Sequence, residues 1–172
     1  MSNNAAGWRS LTDAQRADWE SLGSQITRTD SLGQTYTFNG FMAYTSVNNN
    51  NLAAGNAVVS TPPTLTDPGT LATVTLTLTS SSFSVAYTAT PLGAGVRAFI
   101  FASPQMSAGR AFNGNYRLIA VTAAAAASPA NILTAYTGVF GAPVTGNRIF
   151  VQVQLYLTGF LGSPFAVNQI VA

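Results

Sequence analysis

The sequence predicts a mainly β protein, a seven-stranded antiparallel sandwich behind a short α-helical N-terminal region. Three observations carry this expectation. In residues 72–79, Ala72, Val74, Leu76 and Leu78 alternate with threonines, and in residues 83–89, Phe83, Val85, Tyr87 and Ala89 alternate with Ser84, Ala86 and Thr88. In residues 149–157, Ile149, Val151, Val153, Leu155 and Leu157 alternate with Phe150, Gln152, Gln154 and Tyr156. Successive side chains of a strand point to opposite faces, so each run has one apolar face suited to a shared core. Turn-forming residues then recur about every eight to twelve positions, the spacing of a sandwich.

Taken in order, residues 1–7 are expected to form a loose arm. From Trp8 the pattern is helical: Trp8, Leu11, Gln15, Trp19, Leu22 and Ile26 recur at spacings of three and four, which puts them on one face. Thr12 followed by Gln15 is a capping-box pair, and Asp13 suits the positive end of the helix dipole. A helix is expected over residues 13–22, stopped by Gly23. Trp8, Leu11, Trp19 and Leu22 are the candidate interaction residues of this docking helix, with Trp19 the main anchor. They could dock onto this chain's own sandwich or onto a neighbouring copy. Residues 35–38 alternate like a short strand and end at Asn39-Gly40, a turn dipeptide or a helix cap. Phe41, Tyr44, Val47 and Leu52 suggest a second helix, against the low helix propensity of the run Asn48 to Asn51. Pro62-Pro63 marks the boundary between an N-terminal docking segment, residues 1–62, and the sandwich, residues 63–172.

Within the sandwich, residues 96–102 are apolar on both faces and predict a central strand. Residues 105–115 predict a long loop. Further strands are expected over 116–122, 131–136, 149–157 and 165–171, the run at 149–157 being the longest. This order matches an immunoglobulin-like sandwich. From Pro62 onward the chain resembles a fibronectin type III domain, in the Pro-Pro opening, the hairpin-like first strands, and the run from Val144 to Val153 followed by Gly162-Ser163-Pro164. The N-terminal motif Trp8-Arg-Ser-Leu11-Thr12-Asp-Ala-Gln15-Arg16-Ala-Asp-Trp19 looks like one in uncharacterised bacterial and phage-associated proteins that carry such a sandwich. So does the stretch Ala135 to Gly141. These resemblances imply a structural or surface role and no activity.

Composition narrows the function classes. Only 7% of the 172 residues are charged, against about 25% in an ordinary soluble domain. Every basic residue is Arg, and Lys, His and Cys are absent. No disulfide, Cys/His zinc site or Ser-His-Asp triad can therefore form, and the usual general bases are missing. Four of the five acids lie in the first thirty residues, so two carboxylates flanking one bond, as a glycosidase needs, are not expected. The chain is read as a non-enzyme with no catalytic, cofactor-binding or metal site and no small-molecule substrate. The scattered arginines argue against nucleic acid, and no run reaches the ~20 apolar residues of a membrane span. No signal peptide is visible at the N-terminus.

What remains is a surface of Ser, Thr, Asn and Gln. Residues 68–96, 118–147 and 149–172 carry no charged side chain, so their strand edges lack the lysines that keep soluble monomers apart. The expected function is a structural subunit of a large ordered assembly, homo-oligomeric or built with other structural subunits. A bacteriophage virion shell, a capsid decoration or a surface filament would each fit, at a virion or extracellular location. The alternative is a monomeric surface module that binds a glycan or receptor through loops such as 105–115 and that at Asn147; Ala, Gly, Ser and Thr dominate the loops, with Phe112 and Phe160 as exceptions.

Overall fold

The computed structural model describes every residue but Met1 and Ser31, so the first residue of the expected arm lies outside the described set. Among the described residues there are four helices and eleven strands, and the strands form three antiparallel sheets. The chain divides into two compact units, residues 1–67 with 158–160, and residues 68–157 with 161–172. The sequence boundary at 62/63 places residues 63–67 and 158–160 with the sandwich, whereas both stretches belong to the first unit.

The first unit contains α1 (Ser2–Ser10), α2 (Asp13–Gln25), the strands β1 (Thr27–Thr29) and β2 (Thr35–Thr37), and α3 (Gly40–Ala53). The expected loose arm is thus helical from Ser2. The capping box of α2 is formed: Thr12 Oγ1 accepts from Gln15 N at 3.2 Å, and Thr12 N donates to Gln15 Oε1 at 3.0 Å. Gly23 does not stop this helix, which runs two residues further. It serves close packing instead, because a Cβ there would lie 2.8 Å from the carbonyl oxygen of Phe38. Asn39 resolves as a cap, its Oδ1 accepting from Met42 N at 2.8 Å. The core joins Leu11, Trp19 and Leu22 to Ala43, Tyr44 and Val47 of α3 and to Phe160.

The asparagine run of α3 ties this unit together. Asn48 is fully buried, and its amide both donates to Val59 O (3.1 Å) and accepts from Val59 N (2.8 Å). Asn49 accepts from the Asn4 amide at 2.7 Å, and Asn50 donates to Gly159 O at 2.8 Å. Gly159 has φ +93°, and a Cβ there would run into Val47, so that turn needs glycine. Asn48, Asn49 and Asn50 each weaken the helix slightly as residues, while their side chains make these distant contacts.

The second unit contains β3 (Thr73–Thr79), β4 (Ser82–Thr88), β5 (Arg97–Ala102), β6 (Met106–Ser107), β7 (Arg117–Val121), β8 (Ala130–Asn131), α4 (Leu133–Phe140), β9 (Asn147–Leu157), β10 (Phe160–Leu161, whose first residue belongs to the other unit) and β11 (Phe165–Ile170). Six of the seven expected strands are present. The seventh, at 131–136, is a correction: most of it is the helix α4. Asn131 Oδ1 accepts from Leu133 N (3.0 Å) at its start, and Tyr136 of α4 reaches the core. Strands β3, β4 and β8 form one sheet, and β5 lies between β7 and β9 in the other. Strand β9 is paired with β5 and β6 along one edge and with β11 and β10 along the other.

One core draws on both sheets: Val74, Leu78, Phe83, Val85 and Tyr87 from the smaller, and Ile100, Ile149, Val151, Val153 and Leu155 from the larger. Leu76, expected among them, is only half-buried. The opposite face of β9 is also covered, with Phe150 and Tyr156 buried and Tyr156 stacked on Phe99 at 5.1 Å.

Two substitutions test the two units separately, because both tryptophans lie in the first. Asn48→Ala leaves the N–H and C=O of Val59 unpaired and should cost about 3 kcal/mol, read as a lowered urea midpoint by Trp fluorescence. An unchanged midpoint would mean that the amide clamp is dispensable. Val151→Ala opens a cavity in the shared core and should cost about 2 kcal/mol, read by the strand signal in circular dichroism. A loss below about 0.5 kcal/mol would contradict tight packing there.

Candidate interaction surfaces and ligand groove

The four residues singled out for docking are brought together, but inside the first unit. Trp19 is fully buried, its ring 5.2 Å from that of Tyr44 and its indole Nε1 donating to Ser60 O at 2.8 Å. Leu11 and Leu22 are buried beside it, and Trp8 is half-buried against Phe41 and Tyr44. The helix face therefore docks on α3 of the same unit. Trp19, Leu11 and Leu22 have no surface left for another copy.

Surface available for contacts lies elsewhere. Strands β1 and β2 form an isolated two-stranded ribbon, and all six of their residues are exposed. At its tip Asp30 Oδ1 accepts from Leu32 N (2.8 Å) and Gln34 N (2.9 Å), which turns the chain and holds Leu32 82% exposed. At its base the ring of Phe38 stacks on Tyr36 at 6.1 Å, with the Arg28 guanidinium 5.9 Å from the Phe38 centroid.

In the second unit, the chain between β6 and β7 and the end of α4 enclose two adjoining hollows. The larger, about 570 Å³, is lined by Pro104, Asn115, Tyr116, Arg117, Val139 and Phe140. The smaller, about 230 Å³, has Phe112, Asn113, Tyr116, Phe150, Val167 and Asn168 among its walls. Tyr116 belongs to both. Asn113 shapes the loop by accepting from Asn115 N (3.1 Å) and donating to Asn115 O (2.9 Å), and it leaves Phe112 74% exposed at the rim. Burial pushes the Tyr116 hydroxyl above its ordinary pKa.

The frame behind the larger hollow is a buried hydrogen-bond chain. Tyr136 Oη donates to Ser103 O at 3.1 Å. Ser103 is itself paired to Phe150, whose N donates to Ser103 Oγ (3.1 Å) and whose O accepts from Ser103 N (2.9 Å). This fixes α4, and with it Val139 and Phe140, against the strand that leads to Pro104. The sequence points to the loop 105–115, with Phe112, but not to the lining residues outside it, Pro104, Tyr116, Arg117, Val139, Phe140, Phe150 and those of β11, which come from separate stretches of chain.

The second unit holds Arg97, Arg110, Arg117 and Arg148 and no acid. Arg97 donates to Thr122 O (3.3 Å) and Arg110 to Phe112 O (2.9 Å). Arg117 is exposed and has no hydrogen-bond or ion-pair partner among the described residues. Among the described residues no group of three or more acidic side chains could hold a metal ion, and no helix is long and apolar enough to cross a membrane. No family model, curated protein or solved structure matches the chain.

Burial strongly raises the pKa of Tyr136. Its hydroxyl stays protonated in the folded protein at a pH where the unfolded chain, with a tyrosine pKa of about 10, has begun to ionise. The unfolded state then binds fewer protons, so stability falls as pH rises above about 10, by at most about 1.4 kcal/mol per pH unit for this group. Tyr136→Phe should flatten the loss of denaturation midpoint between about pH 9 and 11, while lowering stability at neutral pH by about 1 kcal/mol through the lost hydrogen bond. An equally steep alkaline loss in the variant would assign the effect to other tyrosines.

Proposed function

We propose that the chain is a non-enzymatic structural subunit of a large ordered assembly, of the virion-shell, capsid-decoration or surface-filament kind, at a virion or cell surface. The observation that carries this reading is the ribbon β1–β2. An isolated two-stranded ribbon is marginal in water, and its outer edges offer unpaired backbone groups to another chain. Here those edges are built of threonines with one Arg and one Tyr and no Lys. A second copy is the natural occupant, because a repeated subunit needs a projecting element that reaches the next one. The uncharged strand edges of the second unit add to this. In the same reading, that unit is a two-sheet sandwich of the immunoglobulin or fibronectin type III kind, supported by the core that both sheets share. The N-terminal tryptophan motif is kept as a resemblance to phage-associated proteins.

A second reading, a binding module for glycans, is favoured by one specific observation. Phe112 stands exposed on a loop beside the two hollows, among amides that suit hydroxyl groups.

The assembly reading is tested by light scattering and negative-stain microscopy of the intact protein and of a variant in which residues 28–36 are replaced by a short Gly-Ser link. The intact protein should form large oligomers that persist to roughly molar salt, since uncharged contacts leave little to screen. The variant should keep its fold and lose the oligomers. A strictly monomeric intact protein, or a variant that assembles equally well, would reject the reading.

A further inference from the structure

We infer that the paired hollows beside Arg117 form a binding site for an acidic oligosaccharide, whose carboxylate is held by Arg117. The inference rests on the glycan-binding reading and is independent of the assembly. Arg117 is the starting point. It is exposed, without a hydrogen-bond or ion-pair partner among the described residues, and set in the wall of a hollow of about 570 Å³, within the usual range for a small-ligand site. A planar guanidinium offers two parallel N–H donors that match the two oxygens of a carboxylate. The second unit has no Asp or Glu side chain to compete for it. A single cation suits one negative charge better than the double charge of a phosphate monoester, which calls for several donors or an Arg cluster.

The rest of the lining selects the ligand's body. Tyr116 and Phe140 bring aromatic rings to the larger hollow. The electron-rich faces of such rings attract positively polarised hydrogens, which the C–H faces of a sugar ring provide. Asn115 and Asn168 are exposed amides, each able to donate and accept, as neighbouring hydroxyls require. The two hollows adjoin across Tyr116, and only the larger has Arg117 in its wall. That arrangement fits linked rings better than one compact molecule, with the charged ring at Arg117 and a neutral ring toward Phe112.

Calorimetric titration of the full chain tests the assignment, using oligogalacturonate and sialyllactose as acidic probes and cello- and malto-oligosaccharides as neutral ones. At least one acidic probe should bind more tightly than every neutral one. Arg117→Ala should weaken that binding by about tenfold to a hundredfold, and Arg117→Lys by less. Arg9→Ala, an exposed substitution in the first unit, should leave it unchanged. Circular dichroism checks that each variant is folded. Equal binding of neutral and acidic probes would keep the glycan-binding reading and overturn the role of Arg117. Binding of no saccharide would overturn both. An Arg117→Ala variant that loses oligomers while the intact protein binds no saccharide would assign the pocket to a carboxylate of a second copy, and so would also overturn the inference.

Discussion

Strand β9 is the constraint on which the second unit depends. It has hydrogen-bonded neighbours along both edges, and it buries Ile149, Val151, Val153 and Leu155 on one face and Phe150 and Tyr156 on the other. A strand paired along both edges, with one face buried and the other partly so, cannot slip by one residue without exchanging its two faces. Its two faces differ: branched aliphatics fill the core shared by the sheets, and two buried aromatic rings and half-buried glutamines make up the other side. The register with β5, which sets Phe99 opposite Gln154 and Ile100 opposite Val153, is fixed by that difference. Charge is excluded for the same reason. The one Arg on β9, Arg148, stands near its start, where it pairs across to Met106 and Ile170.

The first unit is organised differently, by polar contacts around one aromatic anchor. Trp19 fills the space between α2 and α3, and its indole N–H is satisfied by Ser60. The segment around Ser60 has no regular structure, so its backbone groups need side-chain partners. Asn48 provides them for Val59, acting on donor and acceptor together as a neighbouring strand would. A core built this way tolerates little exchange. An apolar side chain at Asn48 would fill the space and leave two backbone groups unpaired.

Much of this was legible in the sequence, for identifiable reasons. Strict alternation located β3, β4 and β9, and the pair Thr12–Gln15 located the start of α2. Both signals are local and survive without knowledge of the fold. The asparagine run was read only through helix propensity, which counts against it, because the partners Asn4, Val59 and Gly159 are distant in sequence or lie on irregular chain. The helix α4 was hidden by its composition. Leu133-Thr-Ala-Tyr-Thr-Gly-Val-Phe140 is rich in β-branched and aromatic residues, and its helical state is tied to Tyr136, whose ring enters the core and whose hydroxyl meets Ser103. The groove was invisible for a further reason. Its walls come from residues 104, 111–117, 139–140, 150 and 166–168, which no spacing rule connects.

The sparse charges of the second unit acquire meaning only from these positions. With no Asp or Glu in the unit, an arginine there is left to carbonyl, amide and hydroxyl oxygens, to a neighbouring molecule, or to water. Arg97 and Arg110 take the first course and stitch strand and loop backbone. Such arginines are structural, and their number says nothing about a ligand. Arg117 is different, because among the described residues no carbonyl accepts from it, and it shares the lining of a hollow with Tyr116 and Phe140. A nearly uncharged surface also makes an exposed guanidinium such as that of Arg117 more selective, since few other charges compete for an anion or repel the wrong one. Uncharged strand edges and a hollow with Arg117 in its wall are therefore compatible in one chain. The edges would associate with little regard to salt, whereas capture of an anion at Arg117 would weaken as salt screens it.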